Sequence, residues 1–160
     1  MSHVTHIEVV IKNLDALASA AEACGCELVL DKHTYKWYGR WVNDYNRSDA
    51  AYNHGISTAD YGKNCDHVIR VKDAGKDTYE VGVYKNPDGE GYVLVYDFYN
   101  GGNGLEKHIG ARASKLEQQY KSAVVVSEMK RKGFKVSKSW EENGTITHEF
   151  EKTATARSWG

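Results

Sequence analysis

The stretch from Tyr79 to Tyr99, YEVGVYKNPDGEGYVLVYDFY, constrains the fold more than any other part of the chain. Asn86-Pro87-Asp88-Gly89 contains the only proline, which restricts φ at the second position of a turn, followed by residues that tolerate unusual backbone angles. The two faces of the second strand carry Tyr92, Leu94, Tyr96 and Phe98 on one side, and Val93, Val95 and Tyr99 on the other. Because both faces are apolar, the pattern predicts a hairpin at the centre of a sheet that is covered on both sides.

Composition bounds the class of protein. The 160 residues are 41% hydrophobic, which suits a single domain, predicted over 1–152, followed by a flexible tail over 153–160. A formal net charge of −1 gives no global attraction to nucleic acid or lipid, so such binding would need a local patch. Three cysteines make no disulfide framework, and the start MSHVTHIEVVI is unlike a signal peptide. We therefore expect a cytoplasmic protein with no membrane partner.

The first third of the chain predicts a β-α-β opening. Val4 to Ile11 alternates as a strand, and Asn13 is placed to cap a helix that begins at Leu14. Gly25 is placed to end that helix, and Cys26 to Leu30 follows as a second strand. A short strand is expected near Tyr35 to Tyr38, before a long aromatic and polar excursion over 40–66.

The later segments complete an α+β fold with a mainly antiparallel sheet. His67 to Lys72 predicts a strand, and a long late helix is expected to run to Lys132 and to end at Gly133. Lys135 to Trp140 and the turn Asn143-Gly144 then predict a β-hairpin. We expect both helices to pack on one face of the sheet, with the excursion at an edge or over the open face.

Most of the chain resembles the hypothetical chloroplast open reading frame thirty-five family, which also occurs in cyanobacteria and tailed phages and is a domain of unknown function. The resemblance rests on the Met1-Ser2-His3 start, on the segment VGVYKNPDGEGYVLVYDFY and on residues of the late helix. In the central hairpin the matching positions are Gly82, Lys85, Asn86, Asp88, Tyr92 and Asp97; in and after the late helix they are Leu116, Gln118, Tyr120, Val124, Val125, Gly133 and Phe134. The chain departs from the family between Arg40 and Asp66 and after Lys152. The resemblance implies the fold and transfers no catalytic residue.

A zinc site is one hypothesis for chemistry. Cys24, Cys26, Cys65 and His67 form two pairs with one residue between the members of each, which together would make a Cys₃His set. The spacing is tighter than the usual two-residue gap, and buried free thiols are the alternative. We predict no cofactor, with zinc at these residues as the alternative.

A binding segment is the second hypothesis. Aromatic and basic side chains interleave, as base stacking and phosphate contacts require, although nearby aspartates dilute the charge. The predicted binding residues are Tyr35, Trp37, Tyr38, Arg40, Trp41, Tyr45 and Arg47. The same composition suits a protein interface or structural packing.

The glycine-rich loop from Asn100 to Gly104 is the third candidate. It follows a strand and precedes a helix that bears Lys107, so its backbone amides are candidates to hold an anion. The residues concerned are Gly102, Asn103, Gly104 and Lys107. The lysine-serine or lysine-threonine pair of a Walker loop is absent, and a plain sheet-to-helix connection is the alternative.

No hydrolase, kinase or zinc-protease motif accompanies the seven histidines, although His6 and His148 would face each other if the terminal strands paired. We therefore expect a small non-enzymatic accessory protein that acts by binding another macromolecule, with a protein partner first. Single-stranded nucleic-acid binding through 35–47 is one alternative. A metal- or phosphate-ligand-dependent enzyme is the other.

Overall fold

The computed structural model describes residues 4–6, 9–37 and 56–153, and within them the chain has the predicted α+β fold. Five strands form one antiparallel sheet in the order β1-β5-β4-β3-β2. The strands are β1 (Val4–His6), β2 (Cys26–Leu30), β3 (His67–Val71), β4 (Val81–Lys85) and β5 (Tyr92–Asp97). The predicted hairpin is therefore β4–β5, at the middle of the sheet.

The β-α-β opening joins the two edges of the sheet. Helix α1 (Leu14–Ala23) begins where predicted, because the Asn13 side chain accepts a hydrogen bond from the Ala16 amide at 2.9 Å. Gly25, with φ of +74°, follows the helix in the left-handed region that glycine adopts without strain. Since the chain enters at one edge and leaves at the other, α1 lies across one face of the sheet.

The second half of the helical layer follows β5. A one-turn segment (Asn100–Asn103) leads to the short helix α2 (Glu106–Ile109), and a 3₁₀ turn (Ala111–Ala113) leads to the long helix α3 (Ser114–Arg131). Gly133, with φ of +88°, ends α3 as predicted. Both α1 and α3 pack on the same face of the sheet, as predicted, around a core that includes Leu17, Ile69, Val81, Val83, Leu94, Tyr96, Ile109, Leu116 and Tyr120.

The other face of the sheet is covered by chain with little regular structure. Its core contains Tyr35, Ile56, Tyr61, Cys65, Val68, Tyr84, Val93 and Val95. A 3₁₀ turn (Thr58–Asp60) and an isolated bridge between Thr34 and Lys63 hold this layer together. The described end of the excursion, residues 56–66, therefore lies over the open face, one of the two predicted places.

The last two strands form a separate antiparallel hairpin, β6 (Phe134–Glu142) and β7 (Thr145–Lys152). Asn143 and Gly144 have φ of +51° and +80°, which is the left-handed pair that a tight two-residue turn requires. The hairpin contacts α3 and does not join the main sheet.

Two local predictions were wrong. The strand expected over Val4 to Ile11 does not run to Ile11, because Val9 and Val10 are not in a strand and Ile11 makes only an isolated bridge to Tyr92. The strand expected near Tyr35 to Tyr38 is absent over its described part, because residues 35–37 instead continue from the Thr34 bridge as irregular chain. The condition under which His6 and His148 would face each other is not met, because β1 pairs with β5 while β7 pairs with β6.

The tail predicted over 153–160 lies outside the described residues except for Thr153, whose amide donates to the Gly133 carbonyl at 2.9 Å. Within the described ranges, no helix combines the length and apolar character that a membrane span needs.

Two buried tyrosines on the open face provide a matched test of the packing. The Tyr84 hydroxyl lies 2.6 Å from the Asp60 carbonyl oxygen and 3.0 Å from that of Lys63, whereas the Tyr35 hydroxyl is buried without a hydrogen-bond partner among the described residues. Tyr35→Phe should raise the free energy of unfolding by about 1 kcal/mol, and Tyr84→Phe should lower it by about 1 kcal/mol. Urea denaturation measures both. Equal effects of the same sign would contradict this description.

Candidate functional site

Three segments that are distant in sequence meet around one open cavity of about 680 Å³. The first segment follows β2, the second connects β3 to β4, and the third follows β5. The cavity is lined by Lys36, Trp37, Lys76, Asp77, Tyr79, Asn100, Asn103, Gly104 and Lys107. We call this set the basic aromatic pocket. It unites part of the predicted binding segment with part of the predicted anion loop.

Three hydrogen bonds, one of them between backbone groups, fix the first two segments against each other. The Lys36 amide donates to the Glu80 carboxylate at 2.8 Å, and the Glu80 amide donates to the Lys36 carbonyl at 2.9 Å. The Lys36 ammonium also donates to the Lys76 carbonyl at 2.9 Å. One wall of the basic aromatic pocket is therefore tied to the start of the central hairpin.

The indole of Trp37 is held from behind by Tyr61 and Gly62. The rings of Trp37 and Tyr61 meet edge to face, with centroids 6.1 Å apart and planes at 82°. A Cβ atom at Gly62 would lie 2.1 Å from the indole nitrogen, so only glycine leaves room for the ring. Trp37 is half-buried, with part of its surface lining the pocket.

The loop after β5 has an unusual backbone. Asn100, Gly101, Gly102, Asn103 and Gly104 all have positive φ, from +50° to +107°. Glycine and asparagine are the residues that adopt this left-handed region most readily, which explains the sequence Asn-Gly-Gly-Asn-Gly. The Gly102 carbonyl accepts from the Tyr79 amide at 3.0 Å, so the loop is fastened to the same segment before β4 that holds Lys36.

The pocket carries an excess of positive charge. Three lysines and one aspartate line it. In the described part of the chain, no carboxylate oxygen lies within 4 Å of the ammonium groups of Lys76 and Lys107. These two lysines are exposed.

The structure gives the predicted binding segment two different roles. Tyr35, predicted as a binding residue, is 5% exposed and packs in the core of the open face beside Tyr84. Trp37 lines the pocket. The remaining residues of that prediction lie outside the described residues: Tyr38, Arg40, Trp41, Tyr45 and Arg47.

Three residues of the predicted anion site, Asn103, Gly104 and Lys107, line the pocket. Gly102 is buried, and its amide donates to the Tyr99 carbonyl at 2.8 Å, so this amide does not face a ligand. Helix α2 is a single turn, too short to present a strong dipole. Positive charge at this site therefore comes from lysine.

The four residues of the predicted zinc set lie in separate places. Cys24 and Cys26 belong to the core under the helices, whereas Cys65 belongs to the core on the opposite face of the sheet. His67 pairs with Leu30 at the far end of the ladder from Cys26, and its Nδ1 accepts from the Asp31 amide at 3.0 Å. Among the described residues no group of three His, Cys, Asp or Glu side chains is arranged to hold a metal ion.

The thiols are held in their neutral form. Burial, with a smaller effect of Cys24, raises the pKa of the Cys26 thiol to about 12, and burial raises the pKa of Cys65 to about 11. The Cys65 thiol donates to the Lys32 carbonyl at 3.3 Å. Cys24 and Cys26 pack in one core and Cys65 in the other, so these thiols serve as apolar core side chains.

Sequence reasoning missed Lys76, Asp77 and Tyr79 as pocket residues, whereas Lys36 and Asn100 lie within the two segments that it had named. Lys76 and Asp77 lie in a stretch whose sequence indicates only a turn. The signal that was present is the adjacency of Lys36 to Trp37, a cation beside an aromatic ring. No local sequence pattern predicts that Lys76 and Lys107 line the same pocket as Lys36 and Trp37.

The comparisons with known proteins found no family model, no curated protein and no solved structure that matches this chain. The functional argument therefore depends on the geometry of the chain itself.

The pocket wall can be tested with two glycine substitutions. Gly62→Ala would place a methyl group against the Trp37 indole at a position with φ of +82°, so it should lower the free energy of unfolding by more than about 1 kcal/mol. Gly89→Ala is the control, because nothing lies within 4 Å of a Cβ there. Urea denaturation measures both variants. Equal stability of the two would mean that Gly62 is not needed to seat Trp37.

The buried thiols predict a pH dependence. A cysteine whose pKa rises from 9.0 in the reference state to about 12 in the folded protein keeps its proton longer than the unfolded chain does. Its stabilisation is fully present below pH 9 and is lost as the pH rises toward 12. The free energy of unfolding should fall between pH 8 and pH 10, and less steeply in Cys26→Ala. A flat profile would contradict the burial of the thiol.

Proposed function

We propose that the protein is a small accessory protein that acts by binding single-stranded nucleic acid in the basic aromatic pocket. The observation that carries this proposal is that Lys76, Lys107 and Trp37, from three separate segments, line one cavity of about 680 Å³. Phosphates and bases need cations and aromatic rings side by side, and this pocket supplies both.

The lysines favour a phosphate-bearing partner over a protein partner. Lysine is depleted at the centres of protein interfaces, because its long side chain loses entropy and its ammonium group is costly to desolvate. Lys76 and Lys107 have no carboxylate within 4 Å among the described residues, so an incoming phosphate does not have to displace an ion pair with any of those residues. Because the net charge of the whole chain is −1, electrostatic attraction of a nucleic acid is confined to this pocket.

The aromatic side of the pocket favours a single strand over a duplex. Unstacked bases can lie against an indole, whereas the bases of a duplex are already stacked. Trp37 is held in place by Tyr61 and Gly62, so little ordering is needed when a base stacks on it. The chain that follows Trp37 carries Tyr38 and Arg40 in its sequence, which would extend the same chemistry.

Fluorescence polarisation with labelled single-stranded DNA and RNA tests the proposal. We expect binding that weakens with salt, with a log–log slope of about −2 for three phosphate contacts. Lys76→Ala and Lys107→Ala should each reduce the magnitude of that slope by about 0.7. Trp37→Ala should weaken binding by about 1–3 kcal/mol, and Trp37→Phe should retain most of it.

Lys152→Ala is the matched control, because Lys152 lies at the end of β7 and does not line the pocket. Its affinity and salt slope should equal those of the unmodified protein. Binding without salt dependence, or equal losses in Lys152→Ala and Lys107→Ala, would refute the proposed site.

A further inference from the structure

A serine-histidine pair lies in a second cavity, between α3 and β7 and apart from the basic aromatic pocket. The Ser122 Oγ atom is 2.6 Å from His148 Nε2, and the Ser139 Oγ atom is 2.6 Å from His148 Nδ1. The cavity measures about 390 Å³, and its lining includes Gln118, Ser122, Val125, Ile146, His148 and Phe150.

The elements position these groups independently. Ser122 lies on the long helix α3, and His148 lies on β7, directly opposite Ser139 of β6 in the hairpin register. The imidazole is flanked by the Phe150 ring, with centroids 5.9 Å apart. Each ring nitrogen of His148 is therefore in hydrogen-bond contact with a serine hydroxyl, which fixes the orientation of the imidazole.

We propose that Ser122 is a nucleophile for acyl transfer, with His148 as its general base, acting on carboxylic esters that carry a small apolar acyl group. A nucleophile in hydrogen-bond contact with a base, which is itself oriented by a third group, is the arrangement that this chemistry requires. Ser139 is the positioning residue, since its hydroxyl accepts a hydrogen bond from Nδ1–H in the tautomer whose Nε2 carries no proton and can take one from Ser122. Val125, Ile146 and Phe150 supply an apolar wall for the acyl group.

Gln118 completes the set as a donor to the developing oxyanion. It lies one helical turn before Ser122 on α3 and lines the same cavity. Side-chain amides serve this role in other acyl-transfer sites.

The reaction balances without a cofactor. The Ser122 proton passes to His148 Nε2 as the Oγ atom bonds to the ester carbonyl carbon, and the carbonyl electron pair moves onto oxygen. The tetrahedral intermediate collapses, the carbon–oxygen bond to the alcohol breaks, and the alcohol leaves with the proton from Nε2. Water then attacks the acyl-serine in the same way and releases the carboxylic acid.

A fluorophosphonate probe on the unmodified full-length protein tests this directly, followed by peptide mapping by mass spectrometry. Ser122 should be the modified serine, and a p-nitrophenyl butyrate burst should approach one equivalent. Modification of Ser122 no faster than that of Ser127, on the same helix, would overturn the proposal without any variant having to fold.

Variants then assign the roles. Ser122→Ala should abolish both the labelling and the burst, and His148→Gln should slow labelling by about 100-fold or more. Ser139→Ala should slow the burst, and Ser139→Thr, which keeps the hydroxyl, should restore it. Ser127→Ala should match the unmodified protein. Labelling of His148→Gln at the unmodified rate, or hydrolysis retained in Ser122→Ala, would overturn the proposal.

Discussion

Burial of the central hairpin on both faces is the constraint on which the rest of the structure depends. In β4, Val81 and Val83 belong to the core under the helices, while Tyr84 belongs to the core on the opposite face. A hairpin of this kind is stable only if both faces are covered, because each exposed apolar side chain forgoes about 1.5–3 kcal/mol of burial. Two helices cover one face, and irregular chain must cover the other.

That irregular cover also forms the pocket. Tyr35 packs so closely on β4 that a Cβ atom at Gly82 would lie 2.4 Å from its ring. The next residues, Lys36 and Trp37, then line the pocket together with Tyr79, which precedes β4, and the loop after β5. The same short segment, residues 35–37, therefore packs on the open face of the sheet and lines the basic aromatic pocket.

Local signals accounted for most of the fold, and distant contacts accounted for most of the site. The Asn13 cap, the Gly133 stop and the Asn143-Gly144 turn depend only on backbone preferences within a few residues, so the sequence predicts them directly. Lys76 and Lys107 meet only because the sheet order brings their loops together, and no local pattern encodes this. The proposed zinc set shows the converse, since its suggestive spacing places Cys26 and Cys65 on opposite faces of the sheet.

The glycine-rich loop shows why composition is an ambiguous guide to anion binding. A run of five residues with positive φ would cost about 1–2 kcal/mol for each residue that bears a bulky side chain, so the sequence Asn-Gly-Gly-Asn-Gly is explained by backbone conformation alone. The amides of Gly101 and Gly102 are then used by the Phe98 and Tyr99 carbonyls and cannot be donated to a ligand. What the turn contributes to the pocket is placement, because it brings Asn103 and Lys107 opposite Trp37. An anion bound there would contact the ammonium groups of flexible lysine side chains and not rigidly held backbone amides. This arrangement suits the proposed partner, a single nucleic-acid strand with several spaced phosphates, better than one tightly held phosphate.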